Sequence, residues 1–326
     1  MQQEKKKKIR GDIPLAEVEA FYRIDRKSGK GASVKVTHKA NDALKQIHSN
    51  LLGLFYHHGL HRRENYPFAF GWVSGTIDPI KQALLYHKRE DNGLFPQYWF
   101  VTDIKDAYES VDIKQLAIIL NINISYEYQG EEIYEVLHRF CEGRFGGLAR
   151  GFSTSPLLFN VYASQTIDTS LFLTAKKYGI KFCRLGDDLI FSSKNPIGRR
   201  KRKELLSVVR NAGFTISVKK TRYINLKVQK TFKIFNVMVR NTILGPTILP
   251  SRTTERKMRG MLFVERSINM DLIDKNDLRN KIHGWNGFCK IPEGITRQRY
   301  KKILEGYAGL KEKIKKEKDG FKQGQW

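Results

Sequence analysis

Residues 182–191 of the chain read FCRLGDDLIF, and two adjacent aspartates, Asp187 and Asp188, lie in the middle of this apolar run. A second run of the same kind, YWFVT at residues 98–102, ends directly before Asp103. Apolar, β-branched and aromatic residues on both sides of an acid are typical of a buried strand that carries charge where it ends or turns. We therefore expect three carboxylates at the ends or turns of neighbouring strands.

Carboxylates held this close repel one another, and burial makes their ionisation harder still. A divalent cation between them removes the conflict, and Mg²⁺ prefers carboxylate oxygens and substrate phosphates as ligands. Three such side chains can hold two ions for an in-line phosphoryl transfer. The competing interpretation is an ordinary hairpin turn, because Gly-Asp is also a favourable turn sequence.

The composition is strongly basic. The 326 residues include 59 Lys and Arg against 33 Asp and Glu, which gives a net charge of +26. A hydrophobic share of 40% is ample for a sizeable core in two or three subdomains. Positive charge that is spread along the chain favours RNA or DNA as a partner, and no apolar stretch approaches the roughly 20 residues of a membrane span.

Cysteine usage and the N-terminal residues set an expectation for location. Cys141, Cys183 and Cys289 are far apart, which fits neither a disulfide framework nor a zinc site. The first residues, MQQEKKKK, lack an apolar signal segment. We expect a cytoplasmic protein that does not enter a membrane, and the sequence leaves its oligomeric state open.

Hydrophobic periodicity predicts a mixed α/β chain that is followed by an all-α third. Asp106 is expected to cap the helix that follows it. The expected elements are a basic β-hairpin over 21–38; helices over 39–55, 76–87, 114–120, 131–142, 154–178 and 199–212; strands over 214–218, 223–226 and 230–240; and basic helices over 253–268, 275–288 and 296–318.

Five motifs in a fixed order resemble a reverse transcriptase of the compact prokaryotic kind, which includes retron, group II intron and defence-associated enzymes. The resemblance runs from Phe21 to Gly309, nearly the whole chain. The motifs are FVTDIKDAY at 100–108, GLARGFSTSP at 147–156, LGDD at 185–188, GFTISVKKT at 213–221 and FKIFNVMV at 232–239.

The resemblance implies an α/β (α+β) right-hand polymerase with fingers, a palm whose antiparallel sheet is backed by helices, and a helical thumb. The implied division is a basic N-terminal extension (1–20), fingers (21–97), a palm in two parts (98–112 and 151–240), an insertion between fingers and palm (113–150) and the thumb (250–320).

The resemblance also implies a metal site. Asp103, Asp187 and Asp188 are the implied ligands of two Mg²⁺ ions, with Mn²⁺ as an alternative ion, and the carbonyl of Ile104 is an additional implied ligand. Lys220 is implied beside the leaving pyrophosphate, as charge neutraliser or general acid. From the residues alone, a solvated lysine explains Lys220 equally well.

Other residues are implied at the nucleotide. Tyr108 falls where the family places an aromatic ring under the sugar, which would exclude a ribose 2′-hydroxyl; a core aromatic is the alternative. Arg150 would contact the triphosphate or sugar, and Gly151 would let the backbone approach the nucleotide closely. Lys30 and Lys35, in the basic hairpin, are implied contacts of the triphosphate and template.

Further residues are implied along the nucleic acid. Trp72 would stack on a template base, although packing in the core explains it at least as well. Arg252, Arg256 and Lys257 lie in the first predicted thumb helix and would follow a duplex backbone without reading sequence. The alternative for these three cations is a solvated helix face.

The expected function is an RNA-directed DNA polymerase that extends a DNA primer with dNTPs. Its template is expected to be a dedicated structured noncoding RNA, in the cytoplasm of a prokaryotic cell and with a role in antiviral defence. Two rivals stay open: a polymerase of the same fold that works without a template or makes RNA, and a non-catalytic, maturase-like RNA-binding protein. Three retained acids argue against the second rival, because acids that face RNA weaken binding.

Overall fold

Caps and apolar spacing in the sequence set the ends of several helices. Asn41 begins the first helix, where its side chain accepts a hydrogen bond from the Leu44 amide at 2.8 Å. The computed structural model describes residues 22–27, 35–71, 79–88, 90, 95–123, 127–128, 131–234, 237–242, 245–250, 253, 256, 257, 259–261, 263, 305, 309 and 312. Its helices are α1 (Asp42–His57), α2 (Pro79–Tyr86), α3 (Ile113–Asn123), α4 (Ile133–Phe140), α5 (Ser155–Ala163), α6 (Thr169–Lys177) and α7 (Arg199–Asn211).

The strands form a central sheet and three smaller ones. The central sheet has the order β6–β7–β3–β8, with β9 also paired to β3; β1–β2, β4–β5 and β10–β11–β12 are separate antiparallel sheets. The strands are β1 (Tyr22–Lys27), β2 (Lys35–Ala40), β3 (Tyr98–Lys105), β4 (Glu127–Tyr128), β5 (Glu131–Glu132), β6 (Lys181–Leu185), β7 (Asp188–Ser193), β8 (Thr215–Ile216), β9 (Arg222–Asn225), β10 (Thr231–Ile234), β11 (Val237–Thr242) and β12 (Gly245–Pro250).

The predicted mixture of an antiparallel sheet with helices is confirmed. Both apolar runs around the acids are buried strands of the central sheet, β3 and the β6–β7 hairpin. The basic hairpin at the start of the described chain is β1 paired with β2, whereas β12 was not predicted. The predicted helices from residue 253 onward fall almost entirely outside the described residues.

One predicted helix differs from the structure in a way that matters for the site. The sequence predicts a single helix over residues 154–178, but α5 and α6 are joined by a π-helical segment, Ser164–Asp168. Two side chains bond back to carbonyls there, Ser164 to Val161 at 2.9 Å and Thr166 to Tyr162 at 2.8 Å. Such back-bonding competes with the regular helical ladder. Asp168, the last residue of the π segment, is buried.

A fully buried arginine binds this aspartate. Arg184, in β6, donates from Nε and Nη2 to the two carboxylate oxygens of Asp168, both at 2.8 Å. Its Nη1 donates to Asn160 Oδ1 at 2.8 Å and to the carbonyl of Gly186 at 3.0 Å. Asn160 in turn donates to the carbonyl of Gly71 at 2.5 Å. The guanidinium therefore joins α5, the π segment and the turn that carries the aspartate pair.

The chain falls into two compact units. The first consists of Met1–Pro79, Phe100–Phe191 and Ile197–Arg222, and the second of Ile80–Trp99, Ser192–Pro196 and Tyr223–Trp326. The predicted boundaries of fingers, palm and thumb remain predictions. In the described part of the chain, none of the helices combines the length and the apolarity that crossing a bilayer requires.

We predict that Asp168→Asn lowers the free energy of unfolding by about 3–5 kcal/mol, because it leaves the buried Arg184 guanidinium without its counter-ion. Urea denaturation of the purified protein measures the loss. The matched control is Glu204→Gln, which breaks the exposed Lys177–Glu204 pair, 2.8 Å long, and should leave stability nearly unchanged. Equal effects of the two substitutions would show that the buried pair does not stabilise the fold.

Candidate metal centre

The structure brings the three predicted carboxylates together. Asp103 lies near the end of β3, Asp187 in the hairpin turn and Asp188 at the first position of β7. One oxygen from each carboxylate can be chosen so that all three atoms lie within 4.8 Å of one another. Asp103 is buried, at 4% exposure, while the two hairpin acids are half-buried.

Backbone hydrogen bonds fix the relative positions of these acids. The amide of Ile104 donates to the carbonyl of Asp187 at 2.9 Å, which ties β3 to the hairpin turn. On the other side of β3, the amide of Ser217 donates to the carbonyl of Asp103 at 2.8 Å. Gly186 precedes the pair with a φ of 62°, a left-handed conformation that favours glycine. The carboxylates are therefore placed by the sheet itself.

Burial and mutual repulsion together raise the pKa values of two of the acids. Burial, followed by the charges of Asp187 and Asp103, raises the pKa of Asp188 to about 7. Burial also raises the pKa of Asp103; the hydrogen bond from Lys220 opposes this rise and the charge of Asp187 adds to it. Deprotonated acids at this spacing need positive charge beside them.

Lys220 supplies part of that positive charge. It ends a short 3₁₀ turn, Val218–Lys220, and its Nζ donates to Asp103 Oδ1 at 2.6 Å. Burial lowers the pKa of this ammonium, but the bond to Asp103 and the charges of the other two acids outweigh that effect and raise it. About half of the side chain is exposed, at 54%, so Lys220 can reach a ligand as well as the acid.

The donor set fits divalent cations. Three carboxylates offer only hard oxygen ligands, which suit Mg²⁺ and Mn²⁺ and not the softer metals that thiolates and imidazoles bind. The cluster can therefore hold a metal ion. The carbonyl of Ile104, adjacent in the chain to the Asp103 ligand, remains a predicted ligand.

Tyr108 lies beside the acids, as the motif led us to expect. Its ring is half-buried and packs edge-on against Phe159, with ring centroids 5.5 Å apart. Burial, then the charge of Asp187, raises the pKa of Tyr108 to about 12, so its hydroxyl stays protonated. The packing fixes the ring, and its contact with a sugar remains a prediction.

Arg150 and Gly151 are held by contacts within the chain. Arg150 Nη2 lies 3.1 Å from Glu109 Oε2 and 3.6 Å from Asp106 Oδ1. At Gly151, with a φ of 102°, a Cβ atom would collide with the carbonyl oxygen of His38 in β2. Packing against β2 therefore requires this glycine. Nucleotide contact by either residue remains a prediction.

The expected helix cap at Asp106 is wrong. Asp112 caps α3 instead, because its Oδ1 accepts from the amides of Lys114 at 2.9 Å and Gln115 at 3.1 Å. Asp106 stands in the preceding turn with a φ of 47°, and its carbonyl accepts from the Ser110 amide at 2.9 Å.

The remaining predicted site residues are placed only in part. Lys35 lies in β2, opposite Lys27 of β1. Arg256 and Lys257 are exposed and helical. The other predicted contacts, Lys30, Trp72 and Arg252, lie outside the described residues.

The residues that support the turn were not predicted from the sequence. Arg184, Asp168 and Asn160 do not touch the three carboxylates, yet they bind the Gly186 carbonyl or the arginine that binds it. A signal was present for Asn160 and Arg184, which have apolar residues on both sides in α5 and β6, but not for Asp168, which ends the polar segment SQTID. Their pairing joins residues up to 24 positions apart, which local patterns do not encode.

Solved structures of telomerases are among those similar to this chain. One is apo telomerase from Candida tropicalis truncated from the C-terminal domain, with a TM-score of 0.50, 17% identity, and coverage of 71% of this chain and 55% of that chain. Another is Candida tropicalis telomerase in complex with a TWJ fragment of telomeric RNA, with a TM-score of 0.50, 12% identity, and coverage of 90% and 55%. The chain has the right-hand polymerase fold.

The chain spans a little over half the length of these telomerase chains, at 55%. No protein-family model matches it, and no curated protein matches it. The likeness therefore concerns the fold, and the narrower resemblance to prokaryotic enzymes remains a hypothesis.

We predict that Asp188→Asn raises the melting temperature at about pH 8 without divalent ions, by roughly 2–4 °C for each kcal/mol of repulsion removed. The pKa of this carboxyl rises from 3.8 to about 7 on folding. The folded protein then holds the proton more tightly, so wild-type stability falls as the pH rises between these two values.

Thermal denaturation at about pH 5 and about pH 8 measures this difference, with EDTA present. The stabilisation by Asp188→Asn should grow with pH, whereas the exposed control Glu135→Gln should show no such growth. Added Mg²⁺ should raise the wild-type melting temperature more than that of Asp188→Asn. A variant that is no more stable than the wild type at the higher pH would contradict the crowding of the acids.

Proposed function

We propose that the protein is an RNA-directed DNA polymerase, a nucleotidyltransferase that extends a DNA primer with dNTPs on an RNA template. The observation that carries the proposal is the cluster of Asp103, Asp187 and Asp188 with Lys220 on the central sheet of a reverse-transcriptase-type fold. A maturase-like binder would have no use for three clustered acids when burial, together with the charges of the neighbouring acids, raises the pKa values of Asp103 and Asp188.

The three carboxylates would hold two Mg²⁺ ions, with the carbonyl of Ile104 as a further ligand. Bound ions would activate the primer 3′-hydroxyl and neutralise charge on the attacking and leaving oxygens. Lys220, with its ammonium 2.6 Å from Asp103, is placed to neutralise the leaving pyrophosphate or to give it a proton. The raised pKa of Lys220 keeps it charged for this role.

The nucleotide would lie between the acids and the Gly147–Gly151 segment. Tyr108 presents a half-buried ring there, fixed by Phe159, and would clash with a ribose 2′-hydroxyl. Arg150 would exchange one of its acidic partners for a phosphate or the sugar. Lys30 and Lys35 would also contact the triphosphate.

The proposed template is a structured noncoding RNA. One telomerase neighbour is in complex with a fragment of telomeric RNA, and the net charge of +26 favours a polyanion. Trp72 and the cations Arg252, Arg256 and Lys257 would contact template and duplex. A prokaryotic, cytoplasmic enzyme of the retron or group II intron kind, acting in antiviral defence, is the narrower form of the proposal.

We predict that Asp187→Asn lowers primer extension on an RNA template by about three orders of magnitude, because a lost ligand removes transition-state stabilisation of several kcal/mol. RNA affinity should not fall, since removing an anion cannot weaken polyanion binding electrostatically. Labelled dNTP incorporation and filter binding measure the two quantities, with the exposed Glu135→Gln as control. Extension by Asp187→Asn at the wild-type rate would disprove the metal assignment.

We predict that Tyr108→Ala raises the use of ribonucleotides relative to deoxynucleotides, because it removes the ring under the sugar. Single-nucleotide kinetics on one primer–template give the preference ratio, and Tyr134→Ala, on α4, is the control. An unchanged ratio would make Tyr108 a core residue only. A wild type that prefers ribonucleotides, or that extends a primer without template, would favour the rival polymerase.

A further inference from the structure

A strongly basic surface lies where the end of α6 meets the start of α7. We name it the α6–α7 basic surface and define it by its exposed cations, Lys176, Lys177, Arg199, Arg200 and Lys203. These cations belong to the same compact unit as the carboxylates. The charges that shift the pKa values of Asp103 and Asp188 come from other residues.

The charge pattern at the start of α7 is electrostatically unfavourable. Residues 199–203 read RRKRK, and no acid stands in the first helical turn. The N-terminal end of a helix carries partial positive charge, which favours acids and disfavours cations there. A solvated surface usually mixes both signs. Helix stability and solubility therefore do not account for five consecutive cations.

The apolar face of α7 shows which cations of residues 199–203 point to solvent. Leu205 and Val209 are the buried residues of this helix. At 100° per residue, positions 200 and 203 fall on the opposite side and position 199 falls on the flank next to them. All three side chains are exposed, whereas Lys201 is half-buried with its ammonium 5.3 Å from the centre of the Tyr178 ring. The three outward cations form a row.

The acid that adjoins this row is already engaged. Glu204 Oε1 accepts from Lys177 Nζ at 2.8 Å, and its other oxygen accepts from the Tyr178 hydroxyl. These two hydrogen bonds, and then the charges of Lys177 and Arg200, lower the pKa of Glu204. Among the described residues, Arg199 and Lys203 have no ion-pair partner, so their charge faces solvent.

We infer that the α6–α7 basic surface binds the phosphate backbone of RNA outside the metal centre. Guanidinium groups bind phosphates through two parallel hydrogen bonds, and a row of such groups follows a backbone without reading its sequence. RNA is the occupant because the proposed function, on which this inference rests, supplies an RNA longer than the template segment at the acids. The surface would hold the body of that RNA.

The test compares two triple variants that each remove three positive charges. One is R199Q/R200Q/K203Q, and the control is K45Q/K114Q/K227Q, whose lysines are exposed elsewhere. Fluorescence anisotropy at rising KCl measures the affinity for a long stem-loop transcript and for a short RNA template with a DNA primer. Thermal melting and a charge-preserving variant, R199K/R200K, separate lost charge from lost folding.

We expect the first variant to weaken transcript binding about tenfold and to reduce the slope of log affinity against log salt by about 2. The control and R199K/R200K should change little, and extension of the short template should be unchanged in all of them. Equal losses in both triple variants would overturn the inference. The inference would also be overturned if the first variant lost the wild-type binding to phosphatidylserine vesicles but kept its binding to RNA. A wild type that binds the transcript but extends no primer would refute the proposed function alone.

Discussion

The bidentate pair of Arg184 and Asp168 is the interaction on which the site depends. A guanidinium with no solvent exposure is stable only when its donors are satisfied, and here two donors bind the carboxylate while a third group binds Asn160 and the Gly186 carbonyl. The arginine thus supports the turn from the protein interior, through its hydrogen bond to the Gly186 carbonyl. Asp187 and Asp188 follow directly, so their positions depend on a buried pair that lies outside the carboxylate cluster.

The carboxylate cluster works against the stability that this pair provides. Burial, and then the charges of Asp187 and Asp103, raise the pKa of Asp188 to about 7, and the charge of Lys220 offsets this rise only in part. Sites that bind charge often keep such repulsion, and the surrounding structure compensates for it. Rigid support from β3, the hairpin and Arg184 allows the acids to stay close before any cation binds.

The residues that could be predicted from the sequence are those that lie in short motifs. The three acids, Lys220 and Tyr108 lie in local strings, and their strands follow from apolar runs. The cap at Asp112 is also encoded locally, directly before the helix. The prediction of Asp106 as the cap rested on its place in the motif. A motif therefore does not decide which residue caps a helix, because capping also depends on the backbone angles of that residue, and Asp106 has a φ of 47°.

Other features could not be predicted because they join distant parts of the chain. The π segment places Asp168 against Arg184, and Gly151 is required by a carbonyl of β2 more than a hundred residues earlier. Neither contact leaves a periodic signal. The sequence predicted that a glycine-rich segment allows close approach, and the structure shows that one partner in that approach is the protein itself.

A titration of Mn²⁺ into the protein, with the free ion followed by electron paramagnetic resonance, tests most directly whether the three carboxylates bind metal. We expect saturable binding by the wild type, loss of that binding in Asp103→Asn and Asp187→Asn, and weaker binding in Asp168→Asn, which removes the counter-ion of the arginine that supports the turn. Identical Mn²⁺ binding by the wild type and Asp187→Asn would contradict the claim that these carboxylates form a metal centre.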